Sequence, residues 1–341
     1  MTTPQQAAGG ETPRETISMD QEKGAETQAV ALIKEKADRF RANVSSVMVG
    51  KERTIDLLFI SLLCEGHVLI EDVPGVGKTL LAKATARSLD GRFKRIQCTP
   101  DLLPSDVVGV QFFNQKNSEF EFRPGPILAN IVLVDEINRA MPRTQSCLLE
   151  SMQERQVTVD LKTVPLPRPF MLLATQNPIE LEGTFPLPEA QLDRFLLKAT
   201  LGYPSPQEEA AVLSRFQLAN PLDRLQSIIG TGELLELQAI CRRIFIEDSV
   251  REYIVAINSH TRTHPDIKLG TSTRCALALQ STSQAMAAIQ GRSYVLPDDV
   301  KALAVPVLRH RLILKTEARL RGRTEEEVIE EILATVPVPA E

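Results

Sequence analysis

An apolar run, His67-Val68-Leu69-Ile70-Glu71-Asp72, enters a turn, Val73-Pro74-Gly75-Val76-Gly77, that ends in Lys78, Thr79 and Leu80. These residue types at this spacing can hold a nucleotide's phosphates. Gly75 and Gly77 let backbone N–H groups curl around an anion, Lys78 can reach the β- and γ-phosphates, and the Thr79 hydroxyl can sit on Mg²⁺. A helix starting near Lys78 adds its positive end. The pattern is imperfect, because Asp72 stands where a general phosphate loop carries glycine.

A second run, Asn130-Ile131-Val132-Leu133-Val134, ends in Asp135 and Glu136. Apolar residues without alternation fit a strand of a parallel sheet buried on both faces. Its carboxyl end would lie beside the phosphate loop, where open α/β sheets bind ligands. There Asp135 can hold Mg²⁺ through water, and Glu136 can polarise an attacking water.

Those groups need a sheet to position them. Strands are expected over 67–71, 93–98, 131–135, 170–175 and 196–201. Helices are expected after Lys78 and over about 143–154, and a helical pattern is expected from Thr27 to about Val44 (Val30, Ile33, Ala37, Phe40). Val47-Met48-Val49-Gly50-Lys51 is expected as a short extended piece leading into a helix through Leu63. Strands alternating with helices predict an α/β fold, a parallel sheet with helices on both faces. After Tyr203-Pro204 only amphipathic helices are expected, at 232–244, 249–259 and 272–289. The domains predicted are thus a tail over 1–25, disordered by composition, an α/β core over 26–203 and an all-helical unit over 204–341.

Composition bounds the function classes. The chain has 341 residues, 43% of them hydrophobic, with 39 Lys and Arg against 44 Asp and Glu, a net charge of −5. That balance argues against a standing nucleic-acid surface. No apolar run has the length of a membrane span and no signal core is visible, so a cytoplasmic protein is expected. Cysteines 64, 98, 147, 241 and 275 are scattered in apolar company and are expected as reduced core thiols. His260 and His264 lie one helical turn apart, a spacing that suits a metal but more commonly marks a solvated helix face.

The phosphate loop, the strand ending in Asp135-Glu136, Ala174-Thr175-Gln176-Asn177-Pro178, Leu192-Asp193-Arg194-Phe195 and Gly270-Thr271-Ser272-Thr273-Arg274 fall in the order seen in AAA+ ATPases. In detail, Arg95-Ile96-Gln97-Cys98-Thr99-Pro100-Asp101-Leu102-Leu103-Pro104-Ser105-Asp106 and Glu182-Gly183-Thr184-Phe185-Pro186-Leu187-Pro188-Glu189-Ala190 resemble the MoxR family. The resemblance covers about residues 30 to 340. It implies a P-loop NTPase (AAA+) core with a helical lid, ATP and Mg²⁺ as cofactors, and ATP hydrolysis in an oligomeric ring, a hexamer. Asn177 resembles the sensor-1 residue that holds the attacking water, although Asn before Pro also starts turns. Arg274 resembles the sensor-2 arginine, which starts a lid helix and reaches back to the phosphates. Arg194 resembles the arginine finger that projects into a neighbour's site. An ion pair with Asp193 is the plainer alternative for it. Val47, Met48, Val49 and Gly50 would wall the adenine.

Two stretches alternate apolar and polar residues around turns, 109–123 and 156–166, and are expected as β-hairpins inserted in the core. The resemblance implies that both face the pore of a ring. Of Phe112, Phe113, Phe120 and Phe122, some should pack inward. The resemblance further implies a chaperone-like job, remodelling a protein client or inserting metal, with a partner bearing a von Willebrand factor A domain. A nucleic-acid motor, with Lys162 as a contact, and a nucleotide-gated scaffold with little turnover are the alternatives.

Overall fold

A computed structural model describes residues 19–160, 162–177, 183–217 and 220–339, without the side chains of residues 19–26. The elements run α1 (Met19–Ser45), α2 (Glu52–Leu63), β1 (Val68–Glu71), α3 (Lys78–Ser88), β2 (Phe93–Gln97), α4 (Pro104–Val108), β3 (Gly109–Asn114), β4 (Glu119–Pro124), β5 (Ile131–Asp135), α5 (Pro142–Glu154), β6 (Gln156–Val159), β7 (Lys162–Pro165), β8 (Met171–Gln176), α6 (Glu189–Leu192) and β9 (Leu197–Ala199). Then follow α7 (Pro206–Phe216), α8 (Thr231–Cys241), α9 (Asp248–Thr263), β10 (Ile267–Leu269), α10 (Thr273–Ile289), α11 (Pro297–Leu308), β11 (Ile313–Leu314), α12 (Thr316–Leu320) and α13 (Glu325–Thr335).

The central sheet has five strands in the order β2-β5-β8-β1-β9, all parallel. Its two faces are separately filled. Val68, Ile70, Ile131, Leu133, Met171 and Leu173 face a core shared with α1, α2, α3 and the C-terminal helices. Leu69, Val132, Val134, Leu172 and Ala174 face a second core with α4 and α5. The period-2 split explains why these strands read as unbroken apolar runs: both neighbours of every residue are buried. The order also sets β8 between β1 and β5. The phosphate loop, the acidic pair and Asn177 therefore emerge side by side at the carboxyl edge.

Helix α1 buries Val30, Ile33, Ala37, Phe40 and Val44, each at most 3% exposed, at the three-and-four spacing of one helix face. It lies against α2, α3, α8 and α10, and so joins the sheet's helices to the C-terminal ones. It begins at Met19, inside the stretch expected as disordered tail; residues 1–18 lie outside the described residues. Residues 46–50 are not extended, as the sequence suggested, but turned. The Val47 and Met48 amides bond back to the Val44 carbonyl, and Gly50 adopts φ +67°.

The C-terminal unit is not purely helical, because β10 and β11 pair antiparallel. Strands of three and two residues are too short to leave an alternating pattern. In the core, β3 pairs with β4 and β6 with β7 as antiparallel hairpins. Phe122 packs against the second core. Phe112, Phe113 and Phe120 stay exposed, the last two edge to face at 5.3 Å. The hairpin thus turns more of its aromatic surface outward than the sequence suggested.

His67 is buried at the head of β1. Its Nδ1 accepts the Leu172 amide at 3.0 Å and its Nε2 donates to the Met152 carbonyl at 3.2 Å. Burial, with Arg155 nearby, lowers its pKa to about 4. The unfolded chain takes up this proton first as pH falls, so stability drops below about pH 6.5 and levels off near pH 4. Between pH 7.5 and 4.5 this loss should be about 2–3 kcal/mol. Urea titrations at both pH values should show His67→Gln, which does not titrate, lacking that part of the loss. Equal losses in the two proteins would contradict the assignment.

Candidate functional site

Gly75 (φ +88°) and Gly77 (φ +95°) hold the left-handed conformations that wrap the loop, and Gly77 caps α3. Pro74, Gly75, Lys78, Thr79 and Leu80 line one cleft of about 430 Å³ with Asp135, Glu136 and Asn177. Lys78 Nζ donates to the Asp72 carbonyl at 2.9 Å, folded over its own loop. Asp72 itself is buried. Its Oδ2 accepts the amides of Leu201 and Gly202 at 2.6 and 2.8 Å, and its Oδ1 accepts Val73 N–H at 3.0 Å. The residue that broke the glycine pattern therefore pins the phosphate loop to the end of β9.

The acidic pair is held as tightly. Thr175 Oγ1 donates to Asp135 Oδ1 at 2.6 Å and accepts Glu136 N–H at 2.8 Å. Asp135 Oδ2 accepts from Arg95 Nη2 at 2.6 Å and Nε at 3.2 Å. Glu136 sits at φ +57°, an unfavourable conformation for a residue with a side chain, and its carboxylate meets Gln97 at 3.2 Å and Arg139 at 3.3 Å. Such strain persists only where the surroundings over-determine it, and the Thr175 bridge does so. Asp135 and Glu136 also act on Cys98, whose thiol is pushed up to about 12 chiefly by burial and then by these carboxylates. That makes it a core thiol rather than a nucleophile. The five cysteines are free.

Beside the polar cleft lies an apolar one, sharing Gly75, Gly77 and Leu80 and walled by Val47, Met48, Val49 and Val76. Its far side, Pro204, Val212 and Phe216 on and before α7, escaped the sequence reading. Gly50 turns the chain beside this wall. Its φ of +67° is one that residues with a side chain rarely adopt, which favours glycine there.

Arg194 and Arg274 are brought together, but not here. Both line a separate cavity of about 510 Å³ between the link from α2 to β1, the end of α5, the segment before β9 and α10. Arg274 does not reach back to its own chain's phosphate loop, contrary to expectation, because the start of α10 is held at Asp193, where Ser272 Oγ donates to the carboxylate at 3.3 Å. Nor does Arg194 pair with Asp193. Its Nη1 bonds Gln153 Oε1, and its Nε is buried with no partner. Among the described residues neither arginine has a carboxylate partner, whereas Arg155 in the same cavity pairs with Glu65 and Arg311 with Asp193.

Sequence reasoning gave no role to Arg95, Gln97, Thr175 or Asp72. Thr175 carried a signal, a hydroxyl at the end of an apolar strand, and Arg95 and Gln97 alternate with Ile96 along an expected strand, whereas Asp72 showed only as a departure from the glycine pattern. His260 Nδ1 bonds its own helix at Ala256 O, and among the described residues no group of three ligand-type side chains could hold a metal. No described helix is long and apolar enough to cross a membrane.

A parallel sheet carrying a phosphate loop, a strand-end acidic pair and a polar residue on the strand between them, with a helical unit following, defines an AAA+ ATPase. The family model for ATPases associated with various cellular activities matches residues 67–197, and the AAA lid model matches 259–332. The chain is 51% identical to the uncharacterized protein YeaC of Bacillus subtilis, over 88% of this chain and 93% of that one. It is 43% identical to chaperone MoxR1 of Mycobacterium tuberculosis (87% and 80%) and 32% identical to protein MoxR of Paracoccus denitrificans (89% and 97%). A solved candidate ATPase from Cytophaga hutchinsonii superposes with a TM-score of 0.88 at 39% identity, over 94% of this chain and 99% of that one. The chain belongs to the MoxR family of AAA+ ATPases.

Proposed function

We propose that this ATPase works as a ring, a hexamer, in which each site is divided between two copies: one supplies the cradle of Lys78 and Glu136, the next supplies Arg194 and Arg274. The observation that carries this is their separation into two cavities of one chain, with the Arg194 Nε left unpartnered. Loop amides at Gly75 to Thr79, with Lys78, make a donor-rich cradle that fits a triphosphate, facing the carboxylates of Asp135 and Glu136, and the apolar cleft beside it fits adenine. Thr79 and Asp135 would hold Mg²⁺, which neutralises phosphate charge when bound.

In this arrangement Lys78 leaves the Asp72 carbonyl for the phosphates. Glu136, aimed by its strained backbone, takes the proton of the attacking water, and Asn177 at the end of β8 fixes that water's position. Arg194 from the neighbouring copy meets charge building on the transferred phosphoryl oxygens. Arg274, which starts a lid helix in the same cavity, adds a second guanidinium whose position follows the lid.

The work done is remodelling of a protein client, chaperone-like, and includes assistance with assembly or metal insertion. The name of the Mycobacterium relative supports that reading, and so do the three phenylalanines that the β3–β4 hairpin exposes. A cytoplasmic ring and a partner with a von Willebrand factor A domain complete it. A divided site requires assembly, so hydrolysis per chain should rise with protein concentration and level off where light scattering reports rings. A flat profile down to dilutions where single chains dominate would contradict it.

A further inference from the structure

The two arginines come from opposite sides of the boundary between sheet and lid, yet one carboxylate ties them together. Asp193 precedes Arg194 in the chain. Its Oδ1 accepts from Arg311 Nε at 2.8 Å, and its Oδ2 accepts from Ser272 Oγ, the residue that caps α10 just before Thr273 and Arg274. The Arg311 side chain is 3% exposed and also donates to the carbonyls of Phe195 at 2.6 Å, Leu196 at 3.0 Å and Val307, near the end of α11, at 2.5 Å. His310 Nε2 donates to the Phe195 carbonyl as well, at 3.0 Å. Arg194 is thus bracketed by lid side chains gripping the residue before it and the two after it. Its own side chain takes no part in this grip.

We propose that Asp193 and Arg311 are positioning residues that lock Arg194 and Arg274 into one unit, so that both enter a neighbour's site together and move with the lid. The proposal rests on the divided-site reading. A buried guanidinium with all three of its nitrogens hydrogen-bonded forms a rigid joint, because displacing it leaves charged N–H groups unpaired. A rigid joint next to an arginine that is itself held only through Gln153 suits positioning for a target outside the chain. Neither arginine lines this chain's own cradle.

Asp193→Asn keeps the side chain's shape and one acceptor oxygen, removes the charge and turns the second acceptor into an NH2 donor, so it weakens the bond to Arg311 or to Ser272 without opening a cavity. In the full-length chain it should leave the affinity for a fluorescent ATP analogue within twofold of wild type. Turnover at saturating ATP should fall by about tenfold or more with KM little changed, the size expected when a reacting group is misplaced by about 1 Å. Asp193→Glu should restore part of it. The discriminating readout is mixing. Asp193→Asn chains retain a sound cradle, so they should regain activity with Lys78→Ala chains, which retain sound arginines, and gain nothing with Arg194→Ala chains. Turnover within twofold of wild type, loss of analogue binding, or recovery with Arg194→Ala would overturn the proposal. If Asp193→Asn fails to fold, Ser272→Ala, which frees only the α10 end, must show the same mixing pattern in weaker form, and its absence counts equally against the lock. Failure of Arg194→Ala to complement Lys78→Ala would instead remove the divided site, and this proposal with it.

Discussion

Glu136→Gln should bind ATP as wild type does and hydrolyse it about 10²-fold more slowly or worse, the usual worth of a positioned base. The amide keeps the size of the side chain and its reach toward Gln97 and Arg139, while the strained backbone stays fixed by Thr175. What is lost is the ability to take a proton. The variant should therefore accumulate with nucleotide bound, in the assembled state, and become a reagent for capturing clients. Lys78→Ala should behave oppositely and fail to retain nucleotide, because the one flexible cation of the loop is gone. Equilibrium binding of a fluorescent analogue beside single-turnover hydrolysis separates the two. Similar affinities for wild type and Lys78→Ala, or unchanged hydrolysis in Glu136→Gln, would remove these residues from their roles.

Arg194→Ala should lose about 10³-fold or more in turnover, as arginines that meet a phosphoryl group across an interface do, while its own cradle still binds ATP. The substitution removes a partly buried side chain whose only hydrogen bond among the described residues is to Gln153. Folding stability should change little, which makes the kinetic loss interpretable. A stability loss matching the activity loss would assign Arg194 a structural role instead.

The sheet was legible because β1, β5 and β8 are short runs buried on both faces and bounded by turn residues; length decides, since the run Leu57 to Leu63 is as apolar and ends the longer helix α2. The cradle was legible for a related reason: glycines with positive φ, a lysine and a threonine at fixed offsets leave few other uses. Positions set by tertiary packing were not legible. That Arg274 starts a helix could be seen, but which cavity it enters depends on where Ser272 meets Asp193, a contact 79 residues apart in sequence. Asp72 looked like a departure from a pattern, and only the folded chain shows its carboxylate collecting the amides of Leu201 and Gly202. The turn at 46–50 depends on carbonyls at the end of α1, and the pair β10–β11 has too few residues to carry periodicity. Arg95 stood in a stretch already singled out, but its role needs β2 beside β5, a pairing that the chain order does not reveal.

The division of the site between copies is tested most directly by mixing two inactive proteins. Arg194→Ala chains contribute intact cradles and Lys78→Ala chains intact arginines. Combined in equal amounts, with mixed assemblies verified by native mass spectrometry, they should hydrolyse ATP at a clear fraction of the wild-type rate. Mixed assemblies that stay as inactive as either parent would contradict the account.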